Sequence, residues 1–281
     1  MRNYLTLFAA IAWVLSSGLG AQAQTRVSIG VTETIETHNP YGDSVSLLYG
    51  IFSEVTGPFC TYNYAKGDFE GRLAERWKVE NPTTWNFYLS KNYKFNDGTT
   101  VTAEDVVHSI INRVIGDPQS KQKASVAPFV VKAEAVDKFT VKITTDKPTA
   151  PLLSFLCDRL IVTSKAAFDK YGRDAADKDH MMGGGPYQLK ELIPGQRLVL
   201  QKRPDHPDAK KNPRAPDEVV YRIMREPEQR VTALLNDEIQ IAQFIPPHMR
   251  QRVEKNNKLR IVPTDSVEIM FLAMQPKPPF D

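Results

Sequence analysis

Residues 73–114 constrain this chain more than any other segment. Trp85, Phe87 and Leu89 alternate with Asn86, Tyr88 and Ser90, the two-residue period of a half-buried strand, and Tyr93 and Phe95 carry the apolar face past Lys91-Asn92. Asn96-Asp97-Gly98 supplies turn chemistry. Thr102 stands three residues before Asp105, a capping-box spacing, and Val106, Val107, Ile110, Ile111 and Val114 share one stripe of the helix that follows. His108, Ser109 and Asn112 are expected on the wet face of that helix. A strand, a tight turn, a cap and an amphipathic helix in unbroken succession leave few ways to fold other than as one local α/β unit.

The flanking sequence keeps the mixture going. A strand is expected at 27–32, followed by a polar loop at 33–43 and a helix at 44–52. Beyond the helix stop at Gly116-Asp117-Pro118, Val131, Ala133 and Ala135 form a hairpin with Phe139, Val141 and Ile143 around Asp137-Lys138. A short helix at 151–156 and a buried strand at 160–163 come next. Ser164 then caps a helix that Gly172 stops. A polar stretch at 173–180 leads to Gly183-Gly184-Gly185-Pro186-Tyr187, the best candidate for a domain boundary, because three glycines take unusual dihedrals and the proline then forces extended backbone. Strands follow at 187–193, 197–202, 218–224 and 239–244, with a helix opening at Pro227. Short pieces remain after Pro246-Pro247, at 259–262 and at 267–274. There are no internal repeats.

The start of the chain reads as an export signal: Arg2, a short apolar run at 5–15, and Ala21-Gln22-Ala23 as a cleavage site. The apolar run is too short to span a bilayer, and no cysteine stands at the expected mature start, which argues against a lipid anchor. Export places Cys60 and Cys157 in an oxidising compartment, where a disulfide and two free thiols both stay open, since sequence does not report whether the Cα atoms come within bridging range. The net charge is only +3 and the basic residues are scattered among nearly as many acidic ones, so nucleic-acid binding is not expected.

Catalytic signatures are missing: there is no G-x-S-x-G elbow, no H-E-x-x-H, no S-x-x-K with its partner motifs and no metal-spaced Cys/His cluster. Asp179-His180 and Asp205-His206-Pro207-Asp208 each offer two or three ligand types, but adjacent residues cannot all face one ion, so no metal or other cofactor is expected. The glycines at 183–185 precede a strand instead of a helix, which argues against a phosphate cradle.

What identifies the chain is the order of its motifs. LAERW, F-x-L-x-K, KFNDGTTVTAEDVVHSI, GGGPYQLKELIPGQRLVLQ and PDEVVYRIMREPEQRVTALLNDEIQIA closely resemble the extracellular solute-binding proteins of family 5, the peptide-binding components of ATP-driven importers. The resemblance implies a type II periplasmic-binding-protein-like α/β fold, two-lobed with an inserted subdomain. It would be a monomeric, non-catalytic capture protein that takes a solute, expected to be a peptide, and passes it to an ABC transporter permease in the inner membrane. By the same resemblance, 1–23 is signal peptide, 24–57 and 183–266 form the first lobe, 58–182 the inserted subdomain, and 267–281 the start of a second lobe truncated by the end of this sequence. The ligand contacts expected on this basis are Glu36, Thr37, His38, Asn39 and Tyr41 in the loop after the first strand, where α/β proteins tend to place ligands, and Gly185 and Tyr187 in a hinge loop facing the cleft.

The sequence departs from the family pattern in three places. His38 replaces an apolar residue, Asn236-Asp237 replaces a glycine in a turn that both residues tolerate, and Arg203-Pro204-Asp205-His206-Pro207 lacks an aromatic pair, which puts packing there in doubt. The alternatives are an exported hydrolase, with Ser164 or Ser154 paired to His180 as the least implausible nucleophile and base, and a ligand sensor or chaperone on the same fold.

Overall fold

The computed structural model describes residues 25–42, 46–178 and 183–263. The signal peptide, the first residues of the helix expected at 44, the Asp179-His180 ligand pair, the strand at 267–274 and the start of a second lobe lie outside the described residues.

The chain opens with β1 (Arg26–Val31), and α1 (Ser46–Thr56) follows. A hairpin of β2 (Cys60–Asn63) and β3 (Asp68–Gly71) leads to β4 (Ala74–Asn81) and β5 (Thr84–Leu89). After α2 (Ala103–His108), a π-helical segment (Ser109–Ile115) and α3 (Lys123–Val126), the hairpin of β6 (Val130–Asp137) and β7 (Thr140–Thr145) completes a four-stranded sheet in the order β4-β5-β7-β6. Three helices come next: α4 (Leu152–Arg159), α5 (Lys165–Tyr171) and α6 (Arg173–Lys178). The remaining elements are β8 (Tyr187–Ile193), β9 (Arg197–Lys202), α7 (Pro207–Lys211), β10 (Glu218–Ile223), α8 (Pro227–Leu235), β11 (Ile241–Ala242), a 3-10 turn (Pro247–Met249) and α9 (Arg250–Glu254). Together with β1 their strands form a five-stranded sheet in the order β11-β1-β10-β9-β8, in which β1 is parallel to both of its neighbours.

Segment 73–114 forms as its pattern requires. Phe87 and Leu89 are buried, Phe87 packs tilted on Phe59 with ring centroids 5.2 Å apart, and Tyr93 and Phe95 extend the same core. Gly98 takes φ +85°, and the Asp105 carboxylate accepts the Thr102 amide proton at 2.9 Å. The wet face is a correction: of the three residues expected there only Asn112 is exposed, while His108 and Ser109 are buried. The apolar stripe describes one side of this helix, but α5 and the segment before it cover a second side. His108 packs against Phe168 at 4.7 Å, and the Ser109 hydroxyl accepts the Thr163 amide proton at 3.1 Å.

Other differences have local causes. An irregularity in β6 between Val130 and Lys132 turns Val130 inward and leaves Val131 64% exposed. Residues 160–163 are buried as expected but make only one isolated bridge, Pro58 to Ile161, since no neighbouring strand is aligned to extend it. The polar stretch after Gly172 is helical (α6) because Asp177 turns inward to a buried arginine. Residues 259–262 form no strand. Cys60 and Cys157 are joined as a disulfide with Cα atoms 4.3 Å apart, tying the β2–β3 hairpin to α4.

Candidate functional site

The pairing register decides which parts of the chain share an end of the five-stranded sheet. Tyr187 opens β8 opposite Lys202, and Gln201 sits opposite Glu218, which pairs with Arg26 at the start of β1. Gly185 and Tyr187 therefore lie at the amino end of β1 and β10. The loop after β1 leaves from the other end, with the strand length, roughly 20 Å at about 3.3 Å per residue, in between. The expected contacts do not converge on one site.

The amino end is packed tightly around its glycines. The amides of Gly184 and Gly185 donate to Thr56 and Val55 carbonyls at 3.0 and 2.9 Å, so they have no proton left for a phosphate. A Cβ on Gly183 or Gly185 would lie 2.0 or 2.2 Å from a carbonyl oxygen of α1, which makes glycine a steric requirement here and turns the expected hinge into a tight buried seam. The Arg203 guanidinium donates to the carbonyls of Gly183, Gly185, Lys94 and Phe95. His206 uses both ring nitrogens: Nε2 meets the Gly184 carbonyl at 2.9 Å and Nδ1 accepts the Asp208 amide proton at 3.2 Å. Its ring stands edge-on to Tyr93 at 5.4 Å, so the aromatic contact whose loss put packing in doubt is supplied by the histidine itself. Burial holds this imidazole below the ordinary histidine range. Tyr187 is buried too, its hydroxyl donating to Pro216, and desolvation pushes its phenol up to about 12. Tyr187 lines a small cavity of about 310 Å³ between α1 and α7, and Gly185 is packed against α1.

At the carboxyl end three parallel strands finish side by side: β1 at Val31, β10 at Ile223 and β11 at Ala242. The loop after β1 is held from two directions. The Gly195 amide donates to the Ile35 carbonyl at 3.0 Å, and the Arg113 guanidinium reaches the Asn39 side-chain oxygen at 3.4 Å while forming a buried bidentate pair with Asp177 at 2.9 and 2.8 Å. Tyr41 is the correction within this loop. It is fully buried, with Arg113 over its ring at 5.1 Å and its hydroxyl donating to the Ile161 carbonyl, and burial pushes its phenol up to about 12. Buried in this way, it anchors the loop. Glu36 is exposed, and Thr37, His38 and Asn39 are partly exposed.

Two side chains that motif reading missed share this end. Arg225, just past β10, is exposed and meets the Thr34 hydroxyl. Phe244, just past β11, is 58% exposed with φ +50°. A phenylalanine in left-handed backbone costs on the order of 1–2 kcal/mol and is a genuine outlier for so bulky a side chain. No sequence signal marks it, because the strain appears only in the folded backbone. Asp237, with φ +60°, is a turn residue of the kind that tolerates this geometry.

A cavity of about 1080 Å³ lies across the outer face of the same sheet. Its charges are already matched: Arg26 with Glu218 at 3.1 Å, Arg197 with Glu191 at 2.8 Å and Lys190 with Glu218 at 2.5 Å. It provides room without an unmatched charge for a solute. No group of three His, Cys, Asp or Glu that could hold a metal ion occurs among the described residues, and no described helix is long and apolar enough to cross a membrane. Ser164 caps α5 by accepting the Ala167 amide proton, Ser154 is exposed on α4, and His180 lies outside the described residues.

The comparisons with known proteins point one way. The model of the bacterial extracellular solute-binding proteins, family 5 Middle, matches residues 68–281. A probable D,D-dipeptide-binding periplasmic protein of Escherichia coli K12 is 33% identical over 210 residues, which is 73% of this chain and 40% of that protein. A glutathione-binding protein of Escherichia coli O6:K15:H31 is 26% identical over 93% of this chain and 50% of its own length. Among solved structures, a binding protein from A. tumefaciens R10 in complex with mannopinic acid superposes with TM-score 0.70 at 27% identity, over 83% of this chain and 48% of that one. The murein tripeptide-binding protein of Escherichia coli superposes with TM-score 0.73 at 22% identity, over 84% of this chain and 49% of that one, a likeness of fold alone. The chain thus spans about half or less of the length of the relatives it matches.

Proposed function

Because the chain belongs to the bacterial extracellular solute-binding proteins of family 5, we propose that it is the capture component of an ABC importer, binding a small peptide or peptide-like solute in the periplasm at the carboxyl end of its five-stranded sheet. The observation that carries the placement is the convergence of three parallel strand ends on an edge that leaves Glu36, Thr37, His38, Asn39, Arg225 and Phe244 accessible. In open α/β sheets this is where ligands bind, since loops leaving neighbouring strands diverge there and open a crevice. Arg225 offers a guanidinium to a carboxylate, Glu36 a carboxylate to an ammonium, and Phe244 an apolar face. A peptide carries all three kinds of partner.

The wider assignment follows the same reading. Residues 1–23 are the export signal, and the chain works as a monomer that hands its solute to an inner-membrane permease. Residues 24–57 and 183–266 make the first lobe and 58–182 the inserted subdomain. This division is supported by the strand assignment, since the five-stranded sheet draws on 26–31 and 187–242 while the other two sheets draw on 60–145. The chemistry is binding and release, with no bond made or broken. Similar proteins are described as binding D,D-dipeptides, glutathione, murein tripeptide and mannopinic acid, and these define the test panel.

The test is a thermal-shift and calorimetric titration of the protein with D-alanyl-D-alanine, glutathione, murein tripeptide and mannopinic acid. At a ligand concentration a hundred times Kd, binding stabilises the folded state by about 2.7 kcal/mol. A saturable shift with a peptidic member of the panel, weakened by Arg225→Ala, is the expected result. A response to mannopinic acid alone would overturn the peptide assignment. Affinity unchanged by both Arg225→Ala and Glu36→Gln would overturn the placement at the carboxyl end.

A further inference from the structure

Arg230 is the least obvious residue near this edge and among the most buried, with 2% of its surface exposed. No carboxylate hydrogen-bonds to it among the described residues. Its guanidinium is instead spent on backbone: Nε donates to the Gln243 carbonyl at 2.9 Å, Nη1 to Met224 and Arg225 at 2.6 and 2.7 Å, and Nη2 to Phe244 at 2.9 Å. These carbonyls belong to the ends of β10 and β11, which are not neighbours; β1 lies between them. The arginine therefore spans the end of β1 and ties together the strands on either side. Gly30 of β1 lies beneath this span, where a Cβ would lie 2.7 Å from the Ile239 side chain and in ordinary contact, 3.5 Å, with the Arg230 stem.

Phe244 is the residue this clamp holds in strain. Strained backbone persists only where its surroundings over-determine it, and here the surroundings are a planar fork of donors aimed at consecutive carbonyls, an arrangement a lysine cannot reproduce. The strained residue is also 58% exposed, and its carbonyl shares the Arg230 guanidinium with that of Arg225.

We infer that Arg230 is a positioning residue that locks Phe244 in left-handed backbone, so that its ring forms a preformed platform for an apolar side chain of the solute. The inference rests on the proposed peptide binding at this edge and makes it more specific: the solute carries an aliphatic or aromatic group next to its charged ends. The ring is fixed before the ligand arrives, so little ordering remains to be done on binding.

Two measurements separate this inference from the reading beneath it. The first needs no ligand. Left-handed backbone favours glycine, so Phe244→Gly should melt about 2–4 °C above Phe244→Ala, and that gap should close when Arg230→Lys is introduced into both. No gap with Arg230 intact, or a gap that survives Arg230→Lys, overturns the positioning role. The second titrates leucyl-leucine and glycyl-glycine. Phe244→Ala should weaken leucyl-leucine about tenfold and leave glycyl-glycine unchanged, and Arg230→Lys should have no further effect on leucyl-leucine once Phe244 is alanine. Equal losses for both dipeptides, or additive effects of the two substitutions, overturn the platform. If neither dipeptide binds the unaltered protein, the platform falls, the peptide reading still stands or falls on its own panel, and the melting comparison decides what Arg230 does.

Discussion

The two ends of the five-stranded sheet are built from similar materials to opposite effect. Each has a buried arginine that donates to four backbone carbonyls, Arg203 at the amino end and Arg230 at the carboxyl end. At the amino end the carbonyls belong to a glycine seam and a turn pressed against it, and the neighbouring His206 and Tyr187 are buried with their polar atoms bonded. At the carboxyl end the carbonyls belong to strand termini, and what they hold up is exposed: Arg225, Phe244 and the loop at 36–39. An arginine whose donors go to backbone carbonyls can thus seal a junction or stage a surface. Which it does depends on whether the backbone it grips leads into the core or out of it.

That contrast can be broken with single glycines. Gly183→Ala would drive a Cβ to 2.0 Å from the Val55 carbonyl, and the seam has no room to move. The expected loss is about 3 kcal/mol or more, read from chemical denaturation. Gly195, in the β8–β9 turn at the open end, has φ +70° and only the Glu36 carboxylate nearby, 3.9 Å from where a Cβ would sit. Gly195→Ala should cost only the left-handed backbone term, about 1–2 kcal/mol. Equal losses at the two positions would show that the ends do not differ in packing as described.

The smallest expected effect sharpens the picture of the amino end. Burial lowers the pKa of His206, so the unfolded chain binds a proton more readily than the folded one. Stability on its account is complete above the unfolded histidine value of about 6.5 and is lost as pH falls below it toward the lowered folded value. His206→Asn preserves an acceptor for the Asp208 amide and a donor for Gly184 without a titrating group. Its denaturation midpoint should fall less between pH 7 and pH 5 than that of the unaltered protein; an unchanged slope would mean that the folded imidazole takes up a proton as readily as the unfolded one.

Much of the scaffold was legible in the chain. The alternation at 85–89, the Asn96-Asp97-Gly98 turn, the Thr102–Asp105 cap and the strands from 187 onward could be read because each depends on contacts within a few residues. The candidate site was legible only in part. The loop at 36–39 stood out for its place after a strand, whereas Tyr41 in the same loop is buried and Gly185 and Tyr187 lie at the other end of the sheet. Arg225, Arg230 and Phe244 carried no signal at all, since an arginine in a helix and a phenylalanine after a strand are ordinary in sequence.

By itself the sequence determined the local units, the family and the mixed α/β class, because periodicity, caps and turns act over one or two turns of chain and a motif order is preserved in one dimension. Only the tertiary structure decided which end of the sheet is open. Register sets Tyr187 against Lys202 and carries the loop after β1 to the opposite end. That relation joins residues more than a hundred positions apart, and no local preference encodes it. The same holds for the left-handed backbone of Phe244: its stabilising partner is the side chain of Arg230, fourteen residues earlier in the sequence and adjacent only in the folded chain.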